Sequence, residues 1–478
     1  MKLNQHNQLT YMNKRFNKSK RKHYLIITNH GCHSPIITVT TDTGGQNFYV
    51  NNFSKALLNI GFKITIINRG GYRHPVTGDL HTGIKYYDNI WGKSGNYCRL
   101  LYLDDGENRF IPKESLTKEN LISEKNYFFK TANLIGMKLE SIDLISSHYW
   151  DSAYLGILIN SELKKQLNKH IIHVWTPHSL GLLKKKNLLQ QSKAIDPSLN
   201  LKNRISHEEY IIKHIDGVVS TSKEIENILK EYDSKVRSCL WHPPGVDTSR
   251  FKHREIESCD KALTLLKKIM KKKKIIRKIK SKTIFIEASR TTRTKQKPLI
   301  LKAFSKIKNK RKAILIMNAD KKSKLYRKIE RLYKKLNKKN IILINEYLSN
   351  EQLAELFSLS NIYISASLME GWGMAVSEAA ASKCAIICSK FIPFVNEALN
   401  KIPEIVESNN PEAYAEKIDY MIENPQQIKY QSDYVYKIAQ NDYSWNRLAK
   451  NLLLEIEEKI GEILDEKILL EIKKEIKV

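Results

Sequence analysis

Apolar residues recur along this chain in two rhythms, short continuous runs and longer stretches at helical spacing. Tyr24-Leu-Ile-Ile-Thr-Asn29 has the length of a buried strand, and a loop rich in Gly, Pro and Thr follows it. Beyond Gly44-Gly45, the residues Tyr49, Phe53, Ala56, Leu57 and Ile60 share one face of a predicted helix. Gly61 marks its end, and Lys63-Ile-Thr-Ile-Ile-Asn68 is the next strand. A strand, loop, helix and strand in that order begin a parallel α/β sheet.

The same alternation predicts strands at Asp143–Ser146, Ile171–Thr176 and Gly217–Ser220, with Thr221-Ser-Lys-Glu224 capping a helix. It breaks near Trp241-His-Pro-Pro-Gly245 and resumes at Thr283-Ile-Phe-Ile-Glu-Ala288. Strands at Ala313–Met317, Ile341–Ile344, Ile362–Ser365 and Ala385–Cys388 follow, with helices capped at Ser349 and spanning Met374–Ala381. The expected fold class is therefore α/β, with two doubly wound sheets. Predicted boundaries are a loose basic arm at 1–23, a first domain at 24–250 and a Lys-rich linker at 251–282. A second domain at 283–444 and a long amphipathic helix from Trp445 to Val478 complete the chain. Ligands of such sheets bind beyond the carboxyl ends of the strands.

Composition narrows the class. The chain has 478 residues, 41% hydrophobic, which is enough for real cores and excludes a disordered or disulfide-stapled protein. Its formal net charge of +31 favours polyanions, although the abundance of Lys, Ile and Asn throughout also reads as compositional drift. Cys32, Cys98, Cys239, Cys259, Cys384 and Cys388 form no C-x-x-C pair, so neither a zinc site nor a disulfide framework is expected. No run of 18 apolar residues spans a membrane, and the N-terminus lacks an apolar leader segment, so a cytoplasmic location is expected.

Three segments at strand ends could carry chemistry. Glu370-Gly-Trp-Gly-Met-Ala-Val-Ser-Glu378 sets two glutamates about a glycine turn that opens a helix, where free N–H groups suit sugar or phosphate oxygens. Glu370 could equally serve the helix dipole, and Glu378 could be a surface residue. Ser289-Arg-Thr-Thr-Arg-Thr-Lys-Gln-Lys297 carries four cations, Arg290, Arg293, Lys295 and Lys297, where a diphosphate would be gripped; a solvated basic loop is the plainer reading. Thr41-Asp-Thr-Gly-Gly-Gln-Asn47 lets a ligand approach a helix start, but it is not the G-x-G-x-x-G dinucleotide fingerprint.

Taken together and in this order, these segments resemble the retaining GT-B glycosyltransferases of the family 4 type, in the branch of sucrose-phosphate synthase, sucrose synthase and mannosylfructose-phosphate synthase. Glu370 to Glu378 matches that family's E-x7-E element, and Arg290 with Lys295 matches its diphosphate-binding pair. The glycine loop, Ser147-His-Tyr-Trp-Asp151, Thr176-Pro-His-Ser-Leu-Gly181 and Pro243-Pro-Gly-Val-Asp247 are similar to further family segments. The resemblance runs from about residue 24 to 460. It implies two Rossmann-like domains facing a cleft, with the C-terminal helix packing back toward the N-terminal domain.

The resemblance implies roles residue by residue. Arg290 and Lys295 would neutralise the departing diphosphate, and Glu370 would hold the donor sugar's hydroxyls. Gly373 and Met374 would offer backbone N–H groups, and Glu378 would take the ribose. His148 would lie at the reacting centre, with His178 a weaker candidate. Gly45 and Gln46 would line the acceptor side, where Lys113 in Phe110-Ile-Pro-Lys113 and Arg204 would meet an acceptor phosphate. No metal and no cofactor are implied beyond a nucleoside diphosphate sugar, UDP-glucose among the candidates. The expected activity is hexosyl transfer to a hexose or hexose phosphate.

Departures from the pattern are visible. Arg293-Thr-Lys295-Gln replaces the usual neighbours of the lysine, Phe391-Ile-Pro-Phe-Val-Asn-Glu397 replaces a Gly-Gly-Pro loop, and Asn203-Arg204 stands where the branch carries two arginines. A lipid or surface polysaccharide acceptor, reached from an anionic membrane surface by basic segments such as Lys321–Lys339, is the alternative. No stacking-aromatic and basic motif supports nucleic acid as a partner.

Overall fold

The computed structural model describes residues 2–29, 31–37, 43–190, 199–270, 275–336, 340–400, 402–407 and 409–476. The chain divides into two compact units, one formed by Met1–Pro243 with Asn446–Val478 and the other by Pro244–Trp445.

The first unit is built on an eight-stranded sheet. In spatial order its strands are Cys239–Trp241, Gly217–Ser220, Ile172–Thr176, Ile142–His148, His23–Ile27, Lys63–Gly70, Cys98–Asp104 and Ile84–Tyr86. All neighbours pair in parallel except the last two. Chain order reverses between His23–Ile27 and Ile142–His148, which makes the carboxyl ends of these two strands a topological switch point. The helix Gly45–Ile60 follows the first of them and ends at Gly61, whose φ of 114° closes the last turn with bonds to Leu57 O and Leu58 O.

The second unit carries a six-stranded, all-parallel sheet in the order Ile341–Ile344, Ala313–Asn318, Thr283–Glu287, Ile362–Ser365, Ala385–Ser389, Glu404–Val406. Its switch point lies between Thr283–Glu287 and Ile362–Ser365. The core beneath joins Phe285, Leu315, Ile364 and Ile387 of the sheet to Leu301 and Phe304 of the helix Lys297–Lys306.

Several sequence expectations are corrected. Residues 1–23 are not a loose arm: Lys2–Lys18 is a helix, docked by buried Met12 and Phe16. The Phe16 ring lies 4.0 Å from the Arg99 guanidinium, and Asn17 donates to Ile135 O at 2.7 Å. Segment 251–282 is part of the second unit rather than a linker. Its helix Asp260–Met270 buries Ala262, Leu263, Leu265 and Leu266, and Ala262 N donates to Glu355; residues 271–274 lie outside the described residues. The C-terminal helix is two helices, Trp445–Lys459 and Glu466–Ile476, because Gly461 and the Ile463 and Leu464 amides turn back onto Ile456 O and Glu457. From Asn446 onward this segment joins the first unit, where Glu455 accepts from Trp241 N. The basic helix is Tyr326–Lys335, shorter than Lys321–Lys339, and residues 337–339 of that prediction lie outside the described residues.

Candidate functional site

At the switch point of the second unit, two loops meet. The loop after Thr283–Glu287 carries Arg290 and a short turn Arg293–Lys295; the loop after Ile362–Ser365 carries Glu370. Leu368 N donates to Thr294 O at 2.8 Å, and Lys295 Nζ pairs with Glu370 Oε1, both side chains largely covered. Two residues 75 apart in sequence are thereby one ionic group. Arg290 is exposed beside them and forms no ion pair among the described residues.

The helix Met374–Ala381 starts at Gly373 with φ of 105°, a left-handed start that only glycine adopts without strain. A β-carbon there would come 2.6 Å from Ile392 Cγ2. Glycine is thus required twice, for backbone and for space, and it leaves the first N–H groups of the helix facing the strand end. Glu378 lies in the second turn of this helix. Burial pushes its carboxyl up to about 8, with Arg250 pulling it down and Asp247 pushing it up.

Lys297 departs from its expected place in the diphosphate grip. Its side chain is 1% exposed and paired with Glu287, itself 1% exposed, while its ammonium also donates to Asn318 Oδ1 at 2.9 Å. Glu287 accepts from Ser289 Oγ through its other oxygen. This buried triad anchors the residue preceding Arg290. Sequence reasoning missed it, because a lysine among four cations carries no sign of burial.

At the switch point of the first unit, His148 ends its strand. Gln46 Nε2 donates to His148 O at 3.2 Å and to Thr28 Oγ1 at 3.1 Å, joining the glycine loop to that strand end. Gly45 is the first residue of the helix that carries Gln46. His148 Nδ1 meets His178 Nε2 at 3.0 Å with the rings stacked, and the edge of Tyr49 lies against His178. Tyr49 Oη contacts both Nδ1 and the carbonyl of His242. Burial holds His148 well below the usual histidine range and pushes His178 and His242 down to about 3. The cluster is neutral and fixed.

Tyr149, directly after His148, has φ of 80°, a conformation rarely adopted by a residue with a side chain and concentrated at functional sites. Its ring receives Lys113 Nζ at 5.4 Å and the Arg204 guanidinium at 4.9 Å. The two cations singled out for an acceptor phosphate therefore converge on one ring. They differ in commitment. Lys113 pairs with Glu114 at 3.0 Å. Arg204 is 4% exposed, bonded to Glu208 at 2.9 Å and to Ser179 O at 2.6 Å. Glu208 also accepts from Gly181 N and Tyr232 Oη, so Arg204 belongs to a closed network.

Among the described residues, no group of three or more His, Cys, Asp or Glu could hold a metal ion, and no helix is long and apolar enough to cross a membrane.

Residues 43–250 match the family described as Glycosyltransferase Family 4, and residues 268–439 match Glycosyl transferases group 1. Mannosylfructose-phosphate synthase of Agrobacterium fabrum is 23% identical over 374 residues, 75% of this chain and 74% of that protein. A probable sucrose-phosphate synthase of Thermosipho melanesiensis is 26% identical, covering 88% of this chain and 92% of its own. Sucrose-phosphate synthase of Thermosynechococcus elongatus shares the fold with a TM-score of 0.66 at 21% identity, over 90% of this chain and 96% of that one.

Proposed function

This chain belongs to the GT-B glycosyltransferases, with a family 4 domain ahead of a group 1 domain, and from that premise we propose that it transfers a hexosyl unit with retention from a nucleoside diphosphate sugar to a hexose phosphate. The observation that carries the donor half is the Lys295–Glu370 pair, which sets a cation and a carboxylate side by side at a switch point. In this reading the diphosphate takes Lys295 and Arg290. Glu370, released from Lys295, accepts hydrogen bonds from the sugar hydroxyls. Gly373 and Met374 present backbone N–H groups, and Glu378 meets the ribose.

Negative charge grows on the diphosphate as the glycosidic bond breaks, so cations already fixed there lower the barrier more than they strengthen ground-state binding. Arg290 and Lys295 do this without a metal, and transfer is expected to continue in EDTA. In the first unit, His148 borders the reacting sugar, Gly45 and Gln46 line the acceptor side, and Lys113 beside Tyr149 meets the acceptor phosphate. Arg204, 4.9 Å from the ring centroid, holds Tyr149 in place.

The test is release of nucleoside diphosphate across UDP-, GDP- and ADP-hexoses, with fructose 6-phosphate and fructose as acceptors. Transfer to the phosphorylated sugar is expected, with the anomeric configuration kept. Transfer to fructose alone, or product of inverted configuration, overturns the reading.

A further inference from the structure

The first unit holds a second cavity of about 550 Å3, within the usual size of ligand pockets, and its lining shares no residue with the site described above. Its wall comes from the helix Lys2–Lys18 (Leu9, Met12), the segment Ser34–Ile36, the hairpin region from His74 to His81, and Lys85 to Ile90.

Its chemistry is unlike the rest of this basic chain. The acidic and basic side chains in its lining are Asp79, Asp88 and Lys85, while burial lowers both His74 and His81, the latter to about 4. A net negative lining in a +31 chain disfavours phosphate. His74 Nδ1 accepts from the Val76 and Thr77 amides at 3.1 and 3.0 Å, so its proton sits on Nε2. That Nε2–H is buried without an acceptor, and so is His81 Nδ1 without a partner, although the two residues are only 4% and 2% exposed. Buried polar atoms of this kind carry a cost that a bound partner removes. In the cavity lining, Ile36 and Ile90 are exposed, an apolar rim beside a polar wall.

A ligand fitting these features must accept from a neutral N–H, donate to carboxylates, and present apolar C–H surface to the rim. Hydroxyl groups on a carbon ring do all three. We propose that this cavity is a second, non-catalytic saccharide site, specific for uncharged sugar units. Contacts lead from it to the acceptor loop. The His81 ring packs on Tyr102 at 4.8 Å, Tyr102 Oη donates to His33 O, and Asn47 bridges His33 Nδ1 and Gly44 N.

The experiment titrates the full chain with sucrose, methyl glucoside and inorganic phosphate by calorimetry. It compares wild type with Asp79→Ala and Ser34→Trp, both at exposed or partly exposed positions, and with Lys113→Ala. Saturable binding of the neutral sugars is expected in wild type and in Lys113→Ala. Affinity should drop about tenfold or more in the two cavity variants, the loss of one charge-assisted hydrogen bond or of the space itself. Their melting temperature and diphosphate release should stay unchanged. Equal affinity in wild type and cavity variants, binding of phosphate in place of sugar, or no saturable sugar binding overturns the proposal. Survival of sugar binding in Lys113→Ala separates this site from the acceptor assignment.

Discussion

Lys297 and Glu287 form an ion pair with both side chains 1% exposed, directly beneath the loop that bears Arg290 and Lys295. Burying two charges costs several kcal/mol, which close contact and added hydrogen bonds offset. Burial lowers the Lys297 pKa while Glu287 opposes that shift. Removing one partner strands the other. Lys297→Met is expected to lower stability by about 3–5 kcal/mol, read as a shifted denaturant midpoint. The double variant Lys297→Met with Glu287→Gln should recover most of that loss. An undiminished midpoint in the single variant would show that the pair is not formed.

Lys295→Ala and Glu370→Gln act on the site itself. Each removes one side of the ionic group that joins the two loops. Loss of one preorganised charge aimed at the leaving group costs about 10²–10³ in kcat. Both variants are expected to lose transfer by that order while melting like wild type, since neither leaves a deeply buried charge behind. Normal turnover by purified Lys295→Ala would remove the diphosphate assignment.

The helix start at Gly373 and the central strands of both sheets were legible in the sequence because they rest on local signals, a glycine turn and continuous apolar runs. The short edge strands Ile84–Tyr86, Cys239–Trp241 and Glu404–Val406 were not. Nor was the strand Cys98–Asp104. Arg99 interrupts its apolar run, and only in the fold does that arginine pass under Phe16 and bond Thr65 Oγ1. The helix Lys2–Lys18 was hidden for a related reason. Its docked face shows as little more than Met12 and Phe16 in a polar, basic stretch, and its partners are far along the chain. Charge was the least readable property of all. Lys295, Lys297 and Arg204 look alike as letters, yet one faces a neighbouring loop, one is sealed in the core and one is locked to Glu208. Burial depends on tertiary packing, and sequence spacing does not report it.

The histidines predict a pH dependence with a definite sign. His33, His178 and His242 are pushed down to about 3 by burial, His81 and His173 to about 4, and His23 and His148 well below the usual range. All seven belong to the first unit. Their folded values lie below the unfolded one near 6.5, so the unfolded chain takes up protons that the folded chain refuses. Their contribution is therefore complete above about pH 6.5 and is lost as pH falls toward the folded values. Asp151, pushed up to about 7, and Glu124, well raised, act in the opposite sense. Glu224 and, in the second unit, Glu378 are raised as well, and four carboxyls against seven imidazoles still leave a net loss on acidification. The melting temperature should fall steadily from pH 6.5 to 4.5, and a flat profile would contradict the buried, neutral cluster.

Glu378 titrates near the working range, because burial pushes its carboxyl up to about 8. Below that value it is largely protonated and accepts hydrogen bonds weakly; above it the carboxylate accepts them strongly. If it meets the donor ribose, the donor KM should fall as pH rises from 7 to 9 in wild type. In Glu378→Gln the KM should be independent of pH over the same range, at unchanged stability. A pH-dependent KM of the same shape in both proteins would place the titration elsewhere.

Lys113 and Arg204 flank the same Tyr149 ring, and their variants should fail in different ways. Arg204→Ala leaves Glu208, fully buried, without the only cation that it pairs with among the described residues, and the Ser179 carbonyl loses a donor. A loss of about 3–5 kcal/mol is expected from the stranded charge, visible in the melting curve whatever the substrate. Lys113 is bound less tightly, since Glu114 keeps 21% of its side chain exposed where Glu208 keeps none. Lys113→Ala should cost less stability than Arg204→Ala and raise the KM for fructose 6-phosphate about tenfold or more. The KM for the donor should not change. Paired measurement of melting and acceptor KM separates a phosphate ligand from a residue that only holds the ring, and equal acceptor KM values in Lys113→Ala and wild type would leave the acceptor phosphate without its proposed partner.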